Sequence, residues 1–346
     1  MSPPARQLAP IDANTPDESG GQGRPDLSND ADGDTGRCRP PEQPAADGSR
    51  VWRGLAVGLV AAGIGALYTV FARWGIVRGM DATDMTFLRF GVAGLVTLPV
   101  LALALWRDAA CLLARWRVWG AVFLLAGPLF GLLMFTALKW APPSHAAVFP
   151  FTAMSVTGML MSAWFLGERI TLRKGFGLVI VVCGLLVLSG LEMSSLTRQS
   201  LAGDALFIAA GTLWAGFGIT MRKHRLDPLL ATAVISFLAL LSYIPAYLVV
   251  VGSTRLLATP GSVLLVEALV QGLIAGAGTL YTYSKMVSLL GPGRAAVFPA
   301  LAPGMAALLA WPVLGHVPTV AETTGLVIAV VGLLIAVTAP AARMAR

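Results

Sequence analysis

From Gly54 to Ala339 the chain is a near-continuous series of apolar runs separated by breaks of a few residues. A bilayer core of roughly 30 Å takes about 20 apolar residues per crossing helix. Runs of that size fall at 54–74, 84–105, 118–138, 144–166, 175–191, 202–221, 229–250, 263–288, 293–314 and 321–339. The breaks hold turn formers such as Arg78-Gly79-Met80-Asp81, Pro142-Pro143, Asp227-Pro228 and Gly291-Pro292-Gly293. Several are so short that consecutive helices must be antiparallel. Only 12% of the 346 residues are charged, about half the share of a soluble domain, so a water-soluble fold would expose large apolar patches. The expectation is an all-α integral membrane protein of ten transmembrane helices.

The charges are unevenly placed. Residues 1–50 hold nine acids and five Arg with no apolar run, and read as a disordered cytoplasmic tail. The remainder holds nine acids against twenty Lys/Arg. That excess lies in short connections beside lipid headgroups, so it reads as topological and not as a nucleic-acid surface. Basic residues favour cytoplasmic loops. With the N-terminus inside, fifteen fall in inner segments, among them Arg107, Arg115, Arg117, Arg169, Arg173, Lys174, Arg222 and Lys223, and five in outer ones. Both termini are therefore expected in the cytoplasm. Trp52, Trp74, Trp106, Trp116, Trp119 and Trp140 fall at span ends, where interfacial aromatics belong. Arg outnumbers Lys 21 to 4, which fits a GC-rich bacterial genome and a plasma (inner) membrane location. Cys38, Cys111 and Cys183 are widely separated without C-x-x-C spacing, so neither a disulfide nor a zinc framework is expected.

The chain repeats itself. His145-Ala-Ala-Val-Phe-Pro150 returns as Arg294-Ala-Ala-Val-Phe-Pro299, Gly177-Leu-Val-Ile as Gly325-Leu-Val-Ile, and Cys183-Gly-Leu-Leu as Val331-Gly-Leu-Leu. The halves, 51–191 and 202–340, contain five spans each, and an odd number makes the second enter the membrane from the opposite side. Inverted repeats are an architecture of secondary transporters, with a solute site near the midplane.

These residues resemble the EamA branch of the drug/metabolite transporter superfamily. The likeness rests on Phe87-Leu88-Arg89-Phe90, the two Ala-Ala-Val-Phe-Pro helix starts, Leu166-Gly167-Glu168, Gly177 and Gly184, Gly291-Pro292-Gly293 and Leu314-Gly315. His316 departs from the pattern, standing where the family usually has a second glutamate. The resemblance implies a ten-helix solute-translocating fold with a central cavity lined by both halves, similar to exporters of amino acids, other metabolites and drugs.

Few polar residues fall inside the spans. Arg89 lies about five residues into the second, where it either snorkels to headgroups or pairs near Asp84, or faces solute. Pro150 and Pro299 each remove a backbone donor and free the carbonyl four residues earlier, so both are hinge candidates. Tyr281 and Lys285 share one helical face and suit an anionic or zwitterionic solute, with snorkelling of Lys285 as the alternative. Phe149, Trp214 and Phe298, with Tyr68, are aromatic candidates for a cavity wall or for packing. Glu267, one turn into the eighth span, is the first candidate for proton coupling and His145 the second. Gly54/Gly58 and Gly272/Gly276 have the spacing of close helix contacts.

No Walker A sequence, H-E-x-x-H, G-x-S-x-G or Cys/His cluster is present. No enzyme activity, cofactor or metal is therefore expected. The expected partners are a small-molecule solute and membrane lipids, without nucleic acid, and a homodimer is compatible with the sequence. The function expected is a secondary transporter working by alternating access. A non-transporting scaffold or lipid-handling protein of the same fold is the alternative.

Overall fold

The computed structural model describes residues 48–190, 197–314 and 317–338. The expected tail falls almost wholly outside the described residues, as do Cys38, Gly315 and His316. Regular structure among the described residues is entirely helical. The first half contains α1 (Gly48–Val77), α2 (Ala82–Ala114), α3 (Trp116–Ala126), α4 (Pro128–Trp140), α5 (Pro143–Leu166) and α6 (Leu172–Ser189). The second opens with α7 (Arg198–Lys223), α8 (Pro228–Val250), α9 (Thr254–Ala258) and α10 (Gly261–Glu267). From α10 a π-helix (Ala268–Ala277) leads into α11 (Gly278–Leu290). There follow α12 (Pro292–Ala295), a 3-10 turn (Phe298–Leu301), α13 (Ala302–Leu314) and α14 (Val320–Val337).

Among the described residues nine helical runs are long and apolar enough to cross a membrane, with α3 and α4 counting as one and α10 to α11 as another. The chain is thus a multi-pass membrane protein. Leu95, Leu103, Leu241, Val249 and Leu334 are exposed along these helices, as lipid-facing side chains are. Against the ten spans expected, the run at 293–314 is segmented among the described residues and does not reach span length as one helix. Pro292, Pro299 and Pro303 fall within twelve residues there, each removing a backbone donor. Regular α-helix is consequently confined to the four residues of α12 and the thirteen of α13. Around the equivalent Pro150, α5 continues for 24 residues, because a single proline costs a helix one hydrogen bond. The bend expected in both halves breaks the helix only in the second.

Helix ends follow local chemistry. Asp81 caps α2, with Asp84 returning the bond to the Asp81 amide. Thr197 with Ser200 and Thr319 with Glu322 make the same reciprocal caps on α7 and α14. Gly167 and Gly190 close α5 and α6 at φ 65° and 55°, a left-handed conformation that lacks strain only without a Cβ.

The most intimate helix pair is α6 with α14. A Cβ on Gly177 would lie 2.8 Å from the Gly332 carbonyl oxygen, and one on Gly184 2.8 Å from that of Gly325. Contacts that advance along α6 while retreating along α14 make the two helices antiparallel. Close approach also holds for the other glycine pairs. Gly54 sits against Leu290 and Gly58 against Phe298, while Gly272 and Gly276 meet the backbone carbonyls of Leu88 and Arg89. Of the expected interfacial tryptophans, Trp52, Trp106, Trp116 and Trp140 are exposed. Trp119 is buried and donates its indole N–H to the Leu112 carbonyl at 3.0 Å. Cys183 is free and exposed.

Candidate functional site

Small residues on α1 let the two halves approach. Gly58 admits Phe298 and Met286, and Gly65 lies against Ala302. On the other side, Gly211 of α7 packs against the Pro150 carbonyl of α5. Between these contacts lies a narrow, partly open cavity. Its wall takes Ala61, Ala62, Gly65, Tyr68, Arg89, Phe130, Phe151 and Met154 from the first half. Trp214, Thr279, Tyr283, Met286, Phe298, Pro299 and Ala302 come from the second. Trp214 anchors the aromatic side, with its ring centroid 4.7 Å from Phe130 and 4.9 Å from Tyr283.

Arg89 is the charged residue of this wall. It is 2% exposed, so it does not reach headgroups, and its guanidinium carbon stands 5.1 Å from the Tyr68 ring centroid. Nor does it pair with Asp84. That carboxylate accepts from the Tyr247 hydroxyl and the Asp81 amide and lies 3.7 Å from Arg255. The Tyr68 backbone carbonyl accepts from Gln271 Nε2 at 2.9 Å, which ties the π-helix to α1 just above the cavity. The Thr279 hydroxyl, on the same wall, is buried without a hydrogen-bond partner among the described residues.

Two polar sites flank the cavity. Glu267 is fully buried beside Gly75 and Met85, and neither carboxylate oxygen has a partner among the described residues. His145 is also fully buried, and its Nδ1 lies 2.9 Å from both carboxylate oxygens of Asp204. At the same end of the bundle, Asp81 meets Lys139 at 3.2 Å and Arg255 at 2.9 Å, joining three connections. Burial pulls the Asp81 carboxyl up, but the Ala82 amide, Lys139 and Arg255 outweigh it and hold its pKa below the usual value. At the other end, Arg115 donates to the His224 carbonyl at 2.7 Å and Lys174 lies 3.8 Å from Glu168. Burial, then Arg115 and Lys223, push the His224 imidazole pKa down.

Of the residues singled out in the sequence, Arg89, Trp214, Phe298 and Pro299 lie on the wall, together with Tyr68. Phe149 and Tyr281 do not. Phe149 lies against His145, with a ring separation of 5.5 Å, and Phe151 takes the wall position. Tyr281 is 39% exposed and Lys285 half-buried, whereas Tyr283, two residues along and on the opposite face, is buried on the wall. Pro150 is buried under α7. Asp204 was missed because it stands at a predicted span boundary, where an acid reads as a loop residue. Thr279, Tyr283 and Met286 form an i, i+4, i+7 stripe legible as one helix face, but nothing in the sequence says which face turns inward. Among the described residues no cluster of three His, Cys, Asp or Glu side chains exists to hold a metal.

The model of the EamA-like transporter family matches residues 52–190 and again 201–338. A solved crystal structure, described only as that of a protein, is similar at a TM-score of 0.60 and 20% identity, over 81% of this chain and 96% of that one. At that identity the likeness is one of fold. Among curated proteins none matches.

Proposed function

The chain belongs to the EamA-like transporter family, and from that premise we propose that it is a secondary transporter exporting small organic solutes by alternating access. The observation that carries this reading is the cavity, to which both halves contribute wall residues and in which the buried Arg89 faces no carboxylate among the described residues. A charge held inside a membrane bundle without a counter-charge is costly unless it serves a passing ligand. The antiparallel glycine contacts of α6 and α14, the equivalent helices of the two repeats, support an inverted relation between halves 51–191 and 202–340. In this reading the segmented stretch 292–314 is the tenth crossing, both termini are cytoplasmic, and the membrane is the plasma (inner) membrane.

Proton coupling is assigned to Glu267. Its two oxygens are buried without a hydrogen-bond partner among the described residues, so a proton carried there can be exchanged with one bundle end as the state changes. His145 with Asp204 is the second such group. Reconstituted liposomes under an imposed pH gradient test the reading. The wild type is expected to move a solute drawn from a metabolite panel, and Glu267→Gln to move it without dependence on the gradient. No flux, and no solute-dependent thermal stabilisation across the panel, would favour the scaffold alternative.

A further inference from the structure

Resting on the transporter reading, we propose that the cavity selects a small organic monoanion with a flat apolar body, an aryl carboxylate in chemical class, over the corresponding zwitterion or cation. The wall's charge is one-sided. Arg89 is its ionised side chain, and none of the fifteen wall residues is an acid. Tyr68 covers the guanidinium face, and no carboxylate among the described residues lies within ion-pair distance of its N–H edge. Asp84, five residues earlier, is committed to Tyr247, Asp81 and Arg255. Glu267, on the same span as Thr279 but twelve residues before it, lies off the wall.

A buried guanidinium of this kind is completed by a carboxylate, which it binds through two parallel charge-assisted hydrogen bonds. The Thr279 hydroxyl, buried and unpartnered, supplies another donor to the same wall. Trp214, Tyr283 and Phe298 line the same cavity and suit a ring. A zwitterion reaching Arg89 with its carboxylate would bring an ammonium into a space that offers no acid, at the cost of desolvating it unpaired. Aromatic faces compensate part of that cost, but for a bare cation Arg89 adds repulsion.

Three probes with one phenyl ring and one two-carbon link isolate the charge: hydrocinnamate, phenylalanine and phenethylammonium. Binding to the full chain in detergent is read by tryptophan fluorescence and thermal shift. Hydrocinnamate is expected to bind about tenfold or more tighter than phenylalanine, with phenethylammonium weakest. Arg89→Gln should lose that preference and Arg89→Lys recover part of it. Thr279→Val, which keeps the side-chain shape, should weaken hydrocinnamate alone by about threefold, and it serves with the wild-type ranking if Arg89→Gln does not fold. Equal or tighter binding of the zwitterion or cation, no binding of any probe, or an unchanged ranking in Arg89→Gln overturns the proposal. Flux separates the two readings. Selective hydrocinnamate binding without flux sinks the transporter and keeps the site, whereas flux favouring phenylalanine or phenethylammonium keeps the transporter and sinks the site.

Discussion

Gly184 of α6 and Gly325 of α14 meet backbone to backbone: a Cβ on Gly184 would lie 2.8 Å from the Gly325 carbonyl oxygen, and one on Gly325 2.6 Å from that of Gly184. The obstructing atoms are main chain, so no side chain can swing aside. Gly184→Leu is therefore expected to cost roughly 1–3 kcal/mol as overpacking does, read as a lower Tm in detergent. Gly120→Ala meets nothing within 4 Å and should be neutral or stabilising by up to about 1 kcal/mol. Equal melting of Gly184→Leu and wild type would refute the packing of α6 on α14.

The His145 and Asp204 pair predicts strong coupling. Both are buried, 59 residues apart in sequence, and join α5 to α7. Removing either partner strands the other away from water, at about 3–5 kcal/mol. His145→Ala with Asp204→Ala is expected to melt well above the sum of the single losses. A double-mutant cycle by thermal denaturation checks this, and strict additivity would mean the pair is not an energetic unit.

Acid should loosen one end of the bundle. Because Asp81 is held below its ordinary pKa in the folded chain, the stability it contributes is whole above the ordinary carboxylate value, about 3.9. It is lost as pH falls through the lower folded value. Asp81→Asn is expected to flatten that part of a Tm-against-pH profile and to change Tm little at pH 7, since exposed pairs contribute at most about 1 kcal/mol. A wild-type profile with the same acid limb as Asp81→Asn would discard the contribution.

Cysteine labelling tests the inverted reading. Cysteines introduced at Trp140, before α5, and at Ser288, before α12, are expected to react from opposite faces of the membrane. In intact cells an impermeant maleimide should reach the first, and the second only after permeabilisation. Labelling of both from one face would rule out inverted halves.

The apolar runs, the duplicated Ala-Ala-Val-Phe-Pro starts and the Gly177/Gly325 echo made a two-fold repeated helical membrane chain legible from sequence, because helix length and apolarity are local properties tied to bilayer thickness. Arg89, Trp214 and Phe298 were legible as site candidates by their rarity or size within spans. The choices of Phe151 over Phe149 and Tyr283 over Tyr281 were not, since helical periodicity separates faces without saying which one turns inward. Asp204 took meaning only once α7 lay beside α5 and brought its carboxylate to His145. The break at 293–314 had its cause in plain view, three prolines in twelve residues, yet Pro150 shows that a proline alone does not decide. The apolar runs and their repeat were readable from the chain alone. Tertiary structure alone decided which helix faces meet, which buried charge is left without a partner, and therefore where a solute can be held, because those depend on contacts between residues far apart in the chain.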